Sequence, residues 1–393
     1  MRPNIQYIND KEGFEKTVAI LSSKEAIYID LEFDKNHFRY GFNLCLMQIF
    51  DGETCYLIDP LPDLSIEPVF AVLEDENIEI VCFAFSEDMR LLHYLGARPN
   101  NILDLAIATR LLNYDTLSLN NTLSVILEDE SYAAGKASQQ KSNWFQRPLT
   151  DQQKLYAAED VLYLPTLSSV LKKRIQEVQK EDWLKQEMLA FEQYDWSNGS
   201  IAEYLTLKDQ KLLSLREWIR FEKIMNYREE LAESLNRPTY KVLDKKIAFD
   251  LAKSPNKVSQ WLSFKGVHPK FRNEQTQAKI KFFLDEAEQE IAEHKITMGQ
   301  SSIPSLTKEE RLVMGKRRKR QQYFKETFFL PIKEVVKVEY GEHLSNYFLS
   351  NRKITDFINK EQYLLPYQKE IIIHSAKQLK LSLPDFIEEG SKL

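Results

Sequence analysis

The chain reads as an α/β domain, a mixed sheet with flanking helices, followed by an all-α region, and three observations predict this. Strand-like runs occur only in the first half: AIYIDLEF (26–33), LCLMQIF (44–50), TCYLIDP (54–60) and IEIVCFAF (78–85). The second and third are joined by DGE, a hairpin signal, so part of the sheet is expected to be antiparallel before β and α patterns start to mix. Beyond Asp195 the strand patterns vanish and only helical periodicity remains.

The first run sets the chemistry. In AIYIDLEFD, Ile27, Ile29, Leu31 and Phe33 alternate with Tyr28, Asp30, Glu32 and Asp34, which gives a strand one apolar face and one acidic face. Asp is disfavoured in strands and like charges on one face repel, so the pattern is costly unless a positive group sits among the acids. Helices are expected at 86–95, 105–114, 117–130 and 150–180, with Pro165 breaking the last. The segment DWSNGS (195–200) reads as a linker, and helical segments punctuated by Pro238 and Pro255 follow it. A second linker, MGQSSIPS (298–305), precedes Thr307 and Glu310, a capping box opening a basic helix, and helix continues to about residue 385.

At 393 residues the chain has room for two or three domains. No apolar run approaches the roughly 18 residues a membrane span needs, and the N-terminus has neither a signal-peptide nor a transit-peptide pattern, so a cytoplasmic protein is expected. Cys45, Cys55 and Cys82 fall singly inside apolar runs, and the six histidines are scattered, which argues against disulfides and against zinc held by nitrogen and sulfur. Charge is unevenly divided. Residues 1–160 hold 13 basic and 26 acidic side chains, leaving 40 and 33 for the rest, so the second part is the candidate for contacting a polyanion.

Asp30 and Glu32 are two apart on one strand face and converge on one spot. Tyr156 and Asp160, at i and i+4 in YAAED, share one helix face. Asp88 lies just past a strand at the start of a helix, where α/β folds tend to bind ligands. Four acids without histidine or thiolate suit Mg²⁺ or Mn²⁺, and two such ions about 4 Å apart clamp the attacking water and leaving oxygen of a phosphoryl displacement.

With these residues in place, YIDLEF, LCLMQIFDGETCYLIDPL, FAFSEDMRLL, ILDLAIATRLL and WFQRPLTDQQKLYAAEDVLYL together resemble the exonuclease domain of the ribonuclease D family. That family belongs to the DEDD 3′→5′ exonucleases with the ribonuclease H-like fold, and the Y-x-x-x-D spacing matches its tyrosine subclass. The resemblance implies Asp30, Glu32, Asp88 and Asp160 as ligands of two divalent ions and Tyr156 as the residue orienting the water. Where many members read D-T-E this chain has Asp30-Leu31-Glu32, and Phe83 and Phe85 stand where a His and a Gly often precede the second motif. Asp104 also matches a family acid; it reads either as a residue supporting the site or as a helix N-cap.

Residues 205–294 resemble an HRDC domain, a helical nucleic-acid-binding module, through the L-x-x-L-R-x-W opening and the R-P-x-x-x-V-L-x-D turn. The expected organisation is an exonuclease domain at 1–195, an HRDC domain at 205–294 and a C-terminal helical domain at 305–393, read as a second, divergent copy. Arg216, Lys241 and Lys245 are candidate phosphate contacts, as is the run Lys316, Arg317, Arg318, Lys319 and Arg320, which is followed by Tyr323, Phe324 and Phe328. The alternative for the run is a solvated helix face with Tyr323 and Phe324 turned to the core. The resemblance implies a metal-dependent exoribonuclease trimming RNA 3′ ends, such as those of tRNA precursors, and releasing 5′-mononucleotides. A DNA 3′→5′ exonuclease or a catalytically silent nucleic-acid-binding adaptor are the alternatives. The catalytic residues do not choose between RNA and DNA.

Overall fold

The computed structural model describes residues 4–61, 64–115, 118–132, 139–197 and 204–388. The linker expected at 195–200 is thus described only to Ser197, and residues 389–393 of the last expected domain also lie outside the described residues. The sheet has six strands: β1 (Asn4–Ile8), β2 (Ala26–Lys35), β3 (Phe42–Phe50), β4 (Thr54–Ile58), β5 (Glu79–Cys82) and β6 (Ile102–Asp104). Their spatial order is β1-β4-β3-β2-β5-β6, and β3 alone runs against its neighbours, so the sheet is mixed as expected. The predicted strand 78–85 stops at Cys82, because Ala84 adopts φ 57° and turns the chain into a helix. β1 and β6 were not foreseen: five and three residues at the two sheet edges carry little periodic signal.

Helices cover both faces of this sheet. They are α1 (Lys11–Leu21), α2 (Glu67–Leu73), α3 (Ser86–Leu95), α4 (Leu105–Leu111), α5 (Leu119–Leu127), α6 (Asp151–Leu162), α7 (Leu164–Glu177) and α8 (Glu181–Glu192). Pro165 sits in the first turn of α7, where its missing N–H costs no hydrogen bond, so the expected break falls at Tyr163. One core joins Ile27, Ile29, Met47 and Ile80 to Phe14 of α1 and Leu92 of α3. The other joins Leu46, Leu57 and Val81 to Ala157, Val161 and Leu167. Each such aliphatic side chain contributes about 1.5–3 kcal/mol by leaving water.

β2 keeps its strict alternation while β3 does not. Glu32 pairs with Leu46 but Phe33 pairs with Leu44, which leaves Cys45 as an extra residue. The bulge puts Cys45 and Leu46 in the same core, and the Cys45 carbonyl accepts from Arg147 Nη2 at 2.8 Å.

The helical half continues with α9 (Leu207–Gln210), α10 (Leu215–Ser234), α11 (Thr239–Val242), α12 (Lys245–Lys253) and α13 (Glu274–Glu293), packed around Phe221, Ile224 and Trp261. Then come α14 (Lys308–Phe324), opened by the expected Thr307–Glu310 capping box, α15 (Leu330–Tyr340), α16 (Glu342–Phe348), α17 (Asn351–Asn359) and α18 (Pro366–Gln378). This last group does not keep a core to itself. Leu111 of α4 and Ile175 of α7 lie in one cluster with Phe329, Ile332, Phe348 and Ile372. Buried Glu187 of α8 accepts from Tyr347 Oη at 2.6 Å, from Gln368 Nε2 at 3.0 Å and from Tyr367 Oη. Among the described residues, no helix is long and apolar enough to cross a membrane.

Candidate active site

The acids gather where β2 passes beneath α6. Asp30 and Glu32 project from the sheet face that α6 covers, and Asp160 comes down from that helix. One carboxylate oxygen from each lies within 4.8 Å of the other two. α6 is anchored at its start by a capping box, in which Gln153 N–H donates to Thr150 Oγ1 at 3.1 Å and Thr150 N–H donates to Gln153 Oε1 at 3.1 Å. Before it, Arg147 grips buried Asp59 through Nε and through Nη2 at 2.7 Å, tying the segment that leads into α6 to the end of β4.

Asp34, the third acid of the strand pattern, does not join this group. Its carboxylate accepts from the backbone N–H groups of His37, Phe38 and Arg39 at 3.3, 3.0 and 3.1 Å, so it shapes the β2–β3 loop. Asp160 takes its place, a long-range partner that strand periodicity does not reveal.

Asp88 is outside the 4.8 Å trio but next to it. It is buried in the first turn of α3, and its charge acts on both Asp30 and Glu32. Asp104 accounts for its placement: its carboxylate accepts from Ala84 N–H at 2.8 Å, Phe85 N–H at 3.1 Å and Ala106 N–H at 2.9 Å. The residue is therefore both the N-cap of α4 and the clamp on the turn that presents Asp88, so the two readings of Asp104 hold together.

Electrostatics describe a site short of positive charge. Burial first, then Asp88, Asp160 and Glu32, push the Asp30 carboxyl well above the usual range. Burial, Asp160 and Asp88 do the same to Glu32. Asp88 is pushed up to about 8, by burial first and against the pull of its own helix amide. One Asp88 oxygen, Oδ1, is buried with no hydrogen-bond partner, and so are both polar atoms of Gln48, the residue directly opposite Asp30 on β3. Buried acceptors crowded this closely, with an orphaned oxygen among them, fit a divalent cation, which oxygen ligands favour.

Half-buried Tyr156 stands over the site from α6, its ring 6.2 Å from that of Trp144. Burial, then Asp160, Glu32 and Asp30, raise its phenol, which keeps the hydroxyl protonated and able to donate.

The expected phosphate contacts separate. Arg216 pairs with Glu288 at 3.3 Å, Lys245 with Asp209 at 2.5 Å and Arg317 with Glu361, so these charges are answered inside the helical half. Lys316, Arg318 and Lys319 are exposed on α14, and the Arg320 guanidinium lies 5.8 Å from the Phe324 ring. Phe324 packs against Phe386 while Tyr323 stays exposed. Lys241 faces the exonuclease part, 6.0 Å from the Phe38 ring. Sequence reasoning missed Gln48, which only the β2–β3 register sets opposite Asp30, and Arg39 and Arg237, which line one groove with Lys241 only in the fold.

Residues 5–176, which hold this sheet and acid cluster, match the family model described as 3'-5' exonuclease. Those residues, fewer than half of the chain, are similar to that family, and the chain is also similar in sequence to proteins named ribonuclease D. It is 29% identical over 250 residues to the ribonuclease D of Desulfotalea psychrophila, covering 62% of this chain and 66% of that protein. It is 33% identical over 191 residues to that of a Shewanella species, covering 46% of each. The match thus spans about two thirds of the first relative and under half of the second. In fold it is similar to Escherichia coli RNase D, with a TM-score of 0.64 at 20% identity, over 95% of this chain and 99% of that one.

Proposed function

We propose that the chain is a metal-dependent 3′→5′ exoribonuclease that removes nucleotides one at a time from RNA 3′ ends and releases 5′-mononucleotides. The observation that carries this reading is the convergence of Asp30, Glu32 and Asp160 within 4.8 Å, beside Asp88 and beneath Tyr156. Asp30, Glu32, Asp88 and Asp160 would hold two divalent ions, Mg²⁺ or Mn²⁺. When bound, such ions supply the positive charge that activates water and stabilises an in-line phosphoryl displacement.

The protein's own contribution is placement. The bulged β2–β3 pair and α6 fix three carboxylates from two directions, and Asp104 holds the turn that carries Asp88. Tyr156 keeps its proton, so its hydroxyl orients the attacking water instead of acting as the base. An intact acid set supports an enzyme over a silent adaptor. The helical part, divided as 205–294 and 305–393, would grip substrate of the tRNA-precursor type or another structured RNA, in keeping with its excess of basic residues. The relatives named ribonuclease D support RNA as the substrate.

The test is to incubate the protein with 3′-extended RNA and with single-stranded DNA of the same sequence, adding Mg²⁺, Mn²⁺ or chelator. Mononucleotide release from RNA, abolished by chelator and by Asp30→Asn, is expected. Equal or faster release from DNA would move the reading to a DNA exonuclease, and no release from either would leave the adaptor.

A further inference from the structure

A groove of about 700 Å³ runs along the border between the exonuclease fold and the helical module. One wall is the loop after β2, with Phe38 and Arg39. A second is the segment before α6, with Phe145, and the third is the α10–α11 turn, with Asn236, Arg237 and Lys241. Three basic side chains and no acidic one line it. This stands out beside the acid cluster and beside Arg216, Lys245 and Arg317 of the helical half, which are tied up in ion pairs. The side chains of Arg39, Arg237 and Lys241 make no ion pair among the described residues.

The groove is built, not a chance gap. The Arg39 guanidinium lies 3.9 Å from the Phe145 ring centroid, a cation–π stack that holds the arginine plane in place. Tyr240 Oη donates to the His37 carbonyl at 3.1 Å and Tyr40 N–H to Asn236 Oδ1 at 3.3 Å, which clip the helical turn to the β2–β3 loop. Two walls are also attached to the proposed catalytic residues. The Phe38–Arg39 loop is the direct continuation of the strand bearing Asp30 and Glu32, and Asp34 fixes its amides. Trp144, next to Phe145, packs on Tyr156. Phe38 is six positions beyond Glu32, so the groove begins within about 20 Å of the acids along an extended chain.

We propose that this groove is the track for the unpaired strand just 5′ of the reacting end. Arg237 and Lys241 would neutralise successive phosphates, and the Arg39–Phe145 stack with Phe38 would offer flat surfaces for bases. This rests on the exoribonuclease reading and adds to it a binding subsite for single-stranded RNA several nucleotides long. It also explains how an exonuclease part whose residues 1–160 carry 26 acidic and 13 basic side chains holds a polyanion: the borrowed charges come from the α10–α11 turn.

The test is equilibrium binding of a fluorescently labelled 12-nucleotide oligoriboadenylate to the full chain in chelator, where no hydrolysis occurs, at several salt concentrations. Arg237→Gln/Lys241→Gln is compared with wild type and with Lys11→Gln/Lys16→Gln, an equal loss of charge on α1, which packs against the other face of the sheet. The groove variant is expected to bind about tenfold more weakly and to flatten the slope of log K against log salt by about 1.4, two charges at about 0.7 each for a single strand. Phe145→Leu should weaken binding while leaving that slope in place. The proposal is overturned if wild type does not bind, if the groove variant keeps both affinity and slope, or if the α1 variant loses as much. Because the assay needs no turnover, a protein that cleaves RNA with an unchanged groove variant would sink only this proposal. A protein that binds RNA through the groove without ever cleaving it would sink only the exonuclease reading.

Discussion

Replacing Asp88 with Asn should stabilise the metal-free protein, although the residue is buried and proposed to be essential. Asp88 has an ordinary value of 3.8 and is pushed up to about 8 in the fold, by burial first and then by neighbouring acids such as Asp104. A carboxyl raised on folding contributes stability that is fully present below about pH 4 and is lost as pH rises through about 8. The difference between the two values sets a ceiling on the order of 5 kcal/mol at pH 8 and above. Asp30 and Glu32 take part in the same repulsion, so the share relieved by one substitution is smaller, about 2–3 kcal/mol. For a domain of this size that is about 5–10 °C in Tm. The assay is thermal unfolding of wild type and Asp88→Asn at pH 5 and pH 8, in chelator and in excess Mg²⁺. In chelator the variant should melt higher at pH 8 and show a smaller advantage at pH 5, while Mg²⁺ should raise wild type more than the variant. A variant that melts lower than wild type in chelator at pH 8, or an equal response of both to Mg²⁺, would refute the reasoning.

Tyr156→Phe should slow turnover on the order of 10²-fold while leaving the Mg²⁺ titration midpoint in place, because the hydroxyl orients water and binds no metal; unchanged turnover would reduce it to a packing residue. Arg147→Ala leaves buried Asp59 without its ion pair and should cost about 3 kcal/mol in urea unfolding, with a loss of under 1 kcal/mol counting against the clamp. Glu187→Ala strands the hydroxyls of Tyr347 and Tyr367 and the Gln368 amide, and should cost about 2–4 kcal/mol, read as a lower urea midpoint at constant slope. Gln48→Met replaces two buried unpaired polar atoms with an apolar chain of similar length and should raise the melting temperature in chelator; a lower one would mean that the amide has partners in solution.

Local patterns determined much of this protein. Alternation in AIYIDLEF marked a strand with Asp30 and Glu32 on one face, the DGE turn marked the antiparallel pair, and the i, i+4 spacing put Tyr156 and Asp160 on one side of a helix. These features depend on backbone periodicity, which is written within a few residues. Charge cost is legible in the same way: three acids in one strand announce that something must offset them.

What only the tertiary structure decided depends on contacts between residues far apart in the chain. Asp34 and Asp160 are alike as carboxylates, yet one caps a loop and the other completes the cluster, because the loop after β2 turns its amides toward Asp34 while α6 crosses over β2. Basic residues that look equivalent in sequence part ways for the same reason. Lys245 and Arg216 meet acids inside the helical module, whereas Lys241 and Arg237 are carried to the groove beside Arg39. Nor did composition disclose that α4 and α7 share a core with the C-terminal helices, since the apolar faces of Leu111 and Ile175 look like ordinary amphipathic stripes until a partner covers them. A periodic sequence states which face of an element must be covered, but the covering element is chosen by packing across the whole chain, and that choice decides which charges are left free to meet a ligand.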